Sequence, residues 1–578
     1  MQLQVGHMVL ALSLMGRQQQ QGTRAGDVDT VTKRSRADSV AIVRAARNAQ
    51  SGFESFRRNR LPSTSAGSGG GVCDMRIGRY CYWRGDEDEE TPPVESPDIR
   101  QRRNELIRVL DGAAQLLPGD AWVAGQRVRY LVEADSIDAA LRAANAECRG
   151  PASWCNALAG YAAQVGARFA TADSSFSRAL AAMDSAQRCQ WFDISDLLSG
   201  ALADRFKKLD CAGREHFVRR LFWFGAPLYS VSATDLLTEH FTRLTRATLS
   251  EHSASTDGEA WGDDMRELVI RYGWPRWHTR STPAFGWEDR PSITGHDAGV
   301  PYDFLPSTHA LDSISQISSA DWELTDSRAT NGYAPSYART VHQIPHQIAV
   351  FRRGDSALVV AAWNGRADTL LLGRHLTAAL ALVNDEGSPV VARLADAPLL
   401  GRLTAIAPID SGIASIEIVA PGDLRASRAR VGIAGRTANL LSVSDLLLYA
   451  PSDSAATSLD AASSTELPSD VLSGSRALGV FWETYGLPPD VGVADFALSV
   501  EQIDVDWLHR AAASIHLSDP ATELRVRWQE TAIQHDGIAP RGVRLDLSRL
   551  RAGRYRIALT VTTSNGGTAV ATREVQIE

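Results

Sequence analysis

The spacing of hydrophobic positions changes along the chain, and with it the predicted architecture. From about Ser96 to Leu209 apolar residues recur every three or four positions, as on helices with one buried face. Ile107, Leu110 and Ala114 mark one helix, which stops near Pro118-Gly119. Trp122, Val128, Leu131 and Val132 mark the next, and Ile137, Leu141 and Ala144 a third. After residues 148–151 the pattern returns through Trp154, Leu158, Tyr161 and Val165, then Phe169, Phe176, Leu180 and Met183. From His346 the period turns to two. Residues 346–353 and 356–363 flank Gly354-Asp355 as a hairpin, and short β-rich runs continue through Val431. A further β unit carries Leu478, Val480 and Trp482, then Leu524, Val526 and Trp528, then Val543, Leu545 and Leu547. The last hairpin alternates through Tyr555, Ile557, Leu559 and Val561, turns at 564–567 and closes on Val575 and Ile577. Two small antiparallel sandwiches fit this half.

The stretch between is aromatic-rich and mixed. Phe217, Leu221, Phe222 and Trp223 suggest a helix ending before Gly225-Ala-Pro227, and 235–249 a second helix carrying Glu239, His240 and Arg243. Leu268-Val-Ile-Arg-Tyr272 reads as a short strand ended by Gly273-Trp-Pro275. Glycines and prolines are then frequent to Pro306, without periodicity, as in a functional loop or a wrap over a core.

These shifts divide the chain. Residues 1–25 read as a signal peptide, 26–72 as a charged helix with a Gly/Ser linker, and 73–210 as a helical domain. Residues 211–337 form a mixed middle domain, 338–450 a β-sandwich, 451–472 a linker and 473–578 a second sandwich. The apolar run at 8–16 suits a signal peptide and is too short to span a bilayer, although no Lys or Arg precedes it. No later stretch reaches the length of a membrane helix.

Composition adds little about activity. At 578 residues several cores are expected, and a net charge of −8 speaks against nucleic acid. Lys33, Lys207 and Lys208 are the only lysines, so no downstream Schiff-base or P-loop lysine exists. The cysteines, Cys73, Cys81, Cys148, Cys155, Cys189 and Cys211, fall into three local pairs. No Cys-x-x-Cys occurs, six cysteines allow about 15 connectivities, and neighbour pairing is the simplest. Disulfides are favoured over buried thiols, which with the apolar run points to export, periplasmic or extracellular.

Candidate chemistry gathers in the middle. His278, His296, His309, His342 and His346 lie within 69 residues, with Asp297 and Asp303 nearby. No His-Glu-x-x-His occurs, and Pro345 forbids a helix joining His342 to His346, so structural histidines are preferred and no metal or cofactor is assigned. Asp263-Asp264 reads better as a turn or cap paired with Arg266 or Arg271 than as paired acids. Trp277 and Trp287, in Pro/Gly-rich context, are groove candidates, whereas Trp261 reads as core. No nucleophile elbow or dinucleotide fingerprint is present, and no catalytic residue is assigned.

Two resemblances follow. Gly160, Ala172, Phe176 and Ala179 fall at the small-residue and aromatic spacing of tetratricopeptide repeats, a family that binds peptides or packs against neighbours. The segment Ala260-Trp-Gly-Asp-Asp264 followed by Ile270-Arg-Tyr-Gly-Trp-Pro275 resembles the GWxTD domain, with Trp261, Asp264, Ile270, Tyr272, Gly273 and Pro275 matching. Ala260, Asp263 and Met265-Arg266 depart from that signature. The resemblance covers about 205–280 and implies a bacterial, exported, multidomain protein with β-sandwich partners. It brings no established reaction.

The expected protein is therefore α then β: tetratricopeptide-like helical hairpins, an α+β GWxTD-like middle and two antiparallel sandwiches. Its expected role is an exported, non-enzymatic scaffold or binding protein for a protein or peptide partner. The binding residues expected are Asp264, Arg271, Tyr272, Trp277, His278, Trp287, His296 and Asp297. The alternatives are a hydrolase-like enzyme with its site in the middle domain and His-rich segment, and an assembly protein of the cell envelope.

Overall fold

The computed structural model describes residues 36–64, 73–83, 92–281, 293–296, 301–324, 329–384, 387–435, 440–473, 477–487, 493–503, 524–531, 537–564 and 566–578. Helices come first: α1 Arg36–Arg58, α2 Pro97–Leu116, α3 Ala121–Glu133, α4 Ile137–Arg142, α5 Ala152–Val165 and α6 Phe169–Ala181. The short α7 Ser185–Trp191 and α8 Gly200–Phe206 lead to α9 Cys211–Phe224, α10 Asp235–Glu251 and α11 Asp263–Tyr272. Local chemistry sets several starts. Asp120 and Asp210 accept from the Val123 and Gly213 amides at 2.9 and 2.8 Å, satisfying donors that α3 and α9 leave open.

Helix α10 is the axis of this half. It packs against α3, α5, α6, α9 and α11, so almost no face is left to water. A helix with so many threonines tolerates this because each hydroxyl bonds back to its own backbone. Thr242 Oγ1 donates to Thr238 O at 2.7 Å, and Thr245 Oγ1 to Phe241 O at 2.8 Å. Helix α1 is not a separate arm. Phe53 packs with Leu110 and Tyr130, while buried Gln50 bonds the Tyr130 hydroxyl and both polar backbone groups of Ala254.

The strand predicted at Leu268–Tyr272 is corrected to the second half of α11. Gly262 opens the helix, two aspartates occupy its positive first turn, and Met265, Val269, Ile270 and Tyr272 form its buried face. Two β-branched residues do not outweigh these signals. Gly273, at φ +90° and ψ −166°, ends it in a conformation open essentially to glycine alone.

Residues 73–83 form a hairpin of β2 Met75–Ile77 and β3 Tyr80–Tyr82, which follow β1 Ser63–Thr64. The Cys73–Cys81 disulfide closes it, and it lies against α11. The linker start joins a small sheet too, β1 pairing with β4 Trp277–Ser281, which pairs with β5 Ile293–His296. Beyond it Tyr302, Phe304, α12 Thr308–Asp312 and Trp322 wrap over the core shared with α9 and α10.

The first sandwich holds β6 Thr340–Gln343, β7 His346–Arg353, β8 Ser356–Asn364, β9 Thr377–Val383, β10 Val390–Leu394, β11 Leu400–Ala407, β12 Gly412–Ala420 and β13 Arg425–Ile433. The sheet β10-β9-β12-β13-β6 faces β11-β8-β7 across a core containing Trp363, Leu380 and Ile416. The hairpin at Gly354-Asp355 is present as expected. The second sandwich comprises β14 Ser442–Val443, β15 Leu447–Tyr449, β16 Val471–Leu472, β17 Ala477–Tyr485, β18 Ala494–Gln502, β19 Leu524–Glu530, β20 Ile538–Asp546, β21 Gly553–Thr563 and β22 Thr568–Ile577. One layer is built on β17, paired to β14, β15 and β20; the other runs β16-β22-β21-β18-β19. Most pairs are antiparallel, but β6 and β16 add to their sheets in parallel. The 451–472 stretch is packed: α13 Leu459–Ser464 buries Leu459 and Ala462 between the sandwiches, against Phe351 and Phe481.

Candidate functional site

Helices α10 and α11 meet at Arg243, whose side chain is only 7% exposed. One turn back on α10, Glu239 accepts from its Nε at 2.8 Å. Nη1 donates to the carbonyls of Ile270 and Arg271, which end α11, and Nη2 donates to Gly332 O at 2.8 Å. One cation thus caps a helix C-terminus, where positive charge is favoured, and ties it to the wrapping segment. Glu239 and Arg243, together with Tyr272, Gly273, Trp274, Arg276, Pro301 and Tyr333, line a cleft of about 40 Å³.

Behind it lies a buried carboxyl. Asp235 Oδ2 accepts from Tyr337 at 2.7 Å and Tyr333 at 3.4 Å, while Oδ1 has no partner among the described residues. Burial pushes Asp235 up to about 7, against the pull of those hydrogen bonds. His240 is buried on the same helix, with Nε2 3.2 Å from Trp191 O, and burial lowers it to about 4. It is therefore neutral at physiological pH.

The middle region and first sandwich are joined by charges on β12 and β13. Period two places Arg428 and Arg430 on one face of β13, directly across from Glu417 and Ser415 of β12. All four are buried. Arg430 donates to Phe224 O at 2.9 Å and Ala226 O at 2.6 Å, and Arg428 to Ala226 O and Pro227 O. Glu417 accepts from the Tyr229 and Ser230 amides at 2.8 and 2.9 Å. The loop after α9 is thereby grasped through both carbonyls and amides. The Arg430 guanidinium also lies 4.2 Å from the Tyr229 ring centroid.

The residues expected to bind are dispersed among several local contacts. Asp264 pairs with Arg79 of the disulfide hairpin, not with Arg266 or Arg271. The Arg79 guanidinium and the Arg79 and Met265 amides hold its carboxyl well below the usual range. Arg271 pairs with Glu267 at 2.7 Å and donates to Thr330 O. Tyr272 stacks on Tyr82, ring centroids 3.8 Å apart, and donates to Ala329 O. Trp277 stacks on His296, whose Nε2 lies 2.7 Å from Thr279 Oγ1. His278, on the other face of β4, is lowered to about 4 by burial, reinforced by Arg57. Trp287 and Asp297 lie outside the described residues. His309 bonds Asp321, and His346 bonds Ile344 O. Among the described residues no three His, Cys, Asp or Glu side chains gather as a metal-ligand set.

Sequence reading noted Glu239, His240 and Arg243 but missed Asp235, Arg79 and the β12–β13 cluster. A signal for the last existed: Glu417 and Arg428 lie symmetrically about Gly422-Asp423 in the turn that follows Pro421. The three expected cysteine pairs are bonded, Cys73–Cys81, Cys148–Cys155 and Cys189–Cys211. Among the described residues no helix is long and apolar enough to cross a membrane.

The fold therefore defines a helical arm and mixed centre followed by two β-sandwiches. No family model and no curated protein matches the chain. Among solved structures, a similarity is found to the FN1-FN3 domains of chicken CNTN1, at 13% identity and a TM-score of 0.15, covering 42% of this chain and 68% of that one. At that score the likeness carries no weight.

Proposed function

We propose that this chain is an exported, non-enzymatic scaffold or binding protein whose centre is a GWxTD-like domain, acting on a protein or peptide partner. One observation carries the reading: the central ionisable groups link neighbouring layers, as Arg243, Arg428 and Arg430 do, through hydrogen bonds to backbone carbonyls. The GWxTD-like positions support it, since each has a packing or turning role. Trp261 packs on the core, Asp264 and Tyr272 seat the disulfide hairpin, Gly273 ends α11, and Pro275 fills the space a Cβ on Gly295 would need. Helix α10 occupies the space among α3, α5 and α6, which favours an internal packing role for the repeat-like helices. The three disulfides support export, because such bonds persist in oxidising compartments.

The test is a panel of ester, peptide and glycosidic substrates offered to the purified oxidised protein, beside a Glu239→Gln variant. No turnover above the variant is expected. Turnover abolished by Glu239→Gln would overturn the scaffold reading. Export is tested by fractionating bacteria that express the chain from its own N-terminus: protein in the cytoplasm with six free thiols would contradict it.

A further inference from the structure

The cleft at the α10–α11 junction has unused donors. Arg243 makes four hydrogen bonds from its five N–H groups, leaving one Nη2 proton without an acceptor among the described residues. Gly273 leaves that guanidinium uncovered: a Cβ there would stand 3.6 Å from Nη2. At the rim Arg276 is exposed, its guanidinium 5.1 Å from the Trp274 ring centroid and without a carboxylate partner among the described residues. Farther along α10, Arg246 is 89% buried with Nε and Nη1 unpaired among the described residues, and its carboxylate neighbour Glu133 also serves Arg57 and Arg129. Among the described residues only Glu239 brings negative charge to the cleft lining, and Arg243 already pairs with it.

We propose that this cleft binds a carboxylate group, held between Arg276 at the rim and the spare Nη2 proton of Arg243 at the floor. The proposal rests on the reading of the chain as a binding protein and names the ligand chemistry. The cleft is small, about 40 Å³, and Arg243 offers it a single free proton, which suits a small anion. Shape agrees, since a planar carboxylate matches the fork of the exposed Arg276 guanidinium, which lies over the Trp274 ring. The carboxylate belongs to a free small acid or to the end of a polypeptide.

Saturation-transfer NMR on the oxidised full chain, with acetate titrated at constant ionic strength in chloride, tests this. Saturable binding to the wild type is expected, at least tenfold weaker in Arg276→Gln, an exposed change whose fold is checked by its melting temperature. Two further arms separate the sources. A tripeptide acid binding more tightly than acetate, with its amide inert, assigns a chain end; succinate binding more tightly assigns a free acid. Absence of saturation, equal binding by the variant, or preference for sulfate would overturn the site. Those results leave the scaffold reading standing, which only turnover would remove.

Discussion

The Arg79 guanidinium meets the Asp264 carboxylate with two prongs, Nε to Oδ2 at 2.8 Å and Nη2 to Oδ1 at 2.9 Å. The contact joins positions 185 residues apart. It places the Cys73–Cys81 hairpin over the positive first turn of α11, where the Tyr82–Tyr272 stack completes the seat. Because Arg79 is exposed, this pair positions a local element more than it stabilises the whole. In Asp264→Asn, hydrogen exchange across 73–83 should rise severalfold while the global melting temperature barely moves. A large global drop would contradict that division of roles.

Gly273 should resist substitution. Its φ of +90° with ψ near 180° is a region other residues avoid, so Gly273→Ala should cost about 1–3 kcal/mol in denaturant unfolding. Gly52, within α1 and with nothing near its Cβ position, is the control: Gly52→Ala should be neutral or stabilising by up to about 1 kcal/mol.

Arg430 joins the first sandwich to the loop after α9. Arg430→Met removes donors from Phe224 O and Ala226 O inside the interface and should cost about 3 kcal/mol or more. The expected readout is a split unfolding transition in calorimetry, the sandwich separating from the helical half. A single unshifted transition would show that the arginine is not the link.

Two groups on α10 give opposite pH slopes. Asp235 is raised from 3.8 to about 7, so the folded chain holds a proton that the unfolded chain releases. Its contribution is full below about pH 4 and is lost as pH rises to about 7. His240 is lowered from 6.5 to about 4, so its contribution is present above pH 6.5 and lost as pH falls toward 4. Relative to the wild type, Asp235→Asn should gain stability from pH 4 to 7, whereas His240→Gln should gain as pH falls over that range. Urea unfolding at several pH values reads both.

A third ionisable group, Glu466, lies between the sandwiches. Both Glu466 oxygens are buried without hydrogen-bond partners among the described residues, and burial raises the group from 4.5 to about 8 despite Arg573 and Arg402. Stability from this group is therefore full below about pH 4.5 and is lost as pH rises to about 8. Glu466→Gln should stabilise the chain by about 1–3 kcal/mol at pH 8.5 and by much less at pH 5. The same gain at both values would exclude ionisation as the cause.

The sequence by itself determined the order of architecture, the helix positions from Leu110 to Leu180 and the hairpins at Gly354-Asp355 and Tyr555–Ile577. Those features follow from periodicity and turn residues, which act between near neighbours. It determined α11 less well, because a five-residue apolar run has the same composition in a helix as in a strand. Only the tertiary structure decided that Asp264 meets Arg79, that α10 is buried among the repeat-like helices, and that Arg428 and Arg430 grasp the 224–227 loop. These contacts join positions from about 65 to more than 200 residues apart, and no local pattern selects one arginine among so many as the partner of a distant carboxylate or carbonyl. The free Nη2 proton of the central cleft is visible only once the other four N–H groups of Arg243 have found their acceptors on Glu239 and on distant segments.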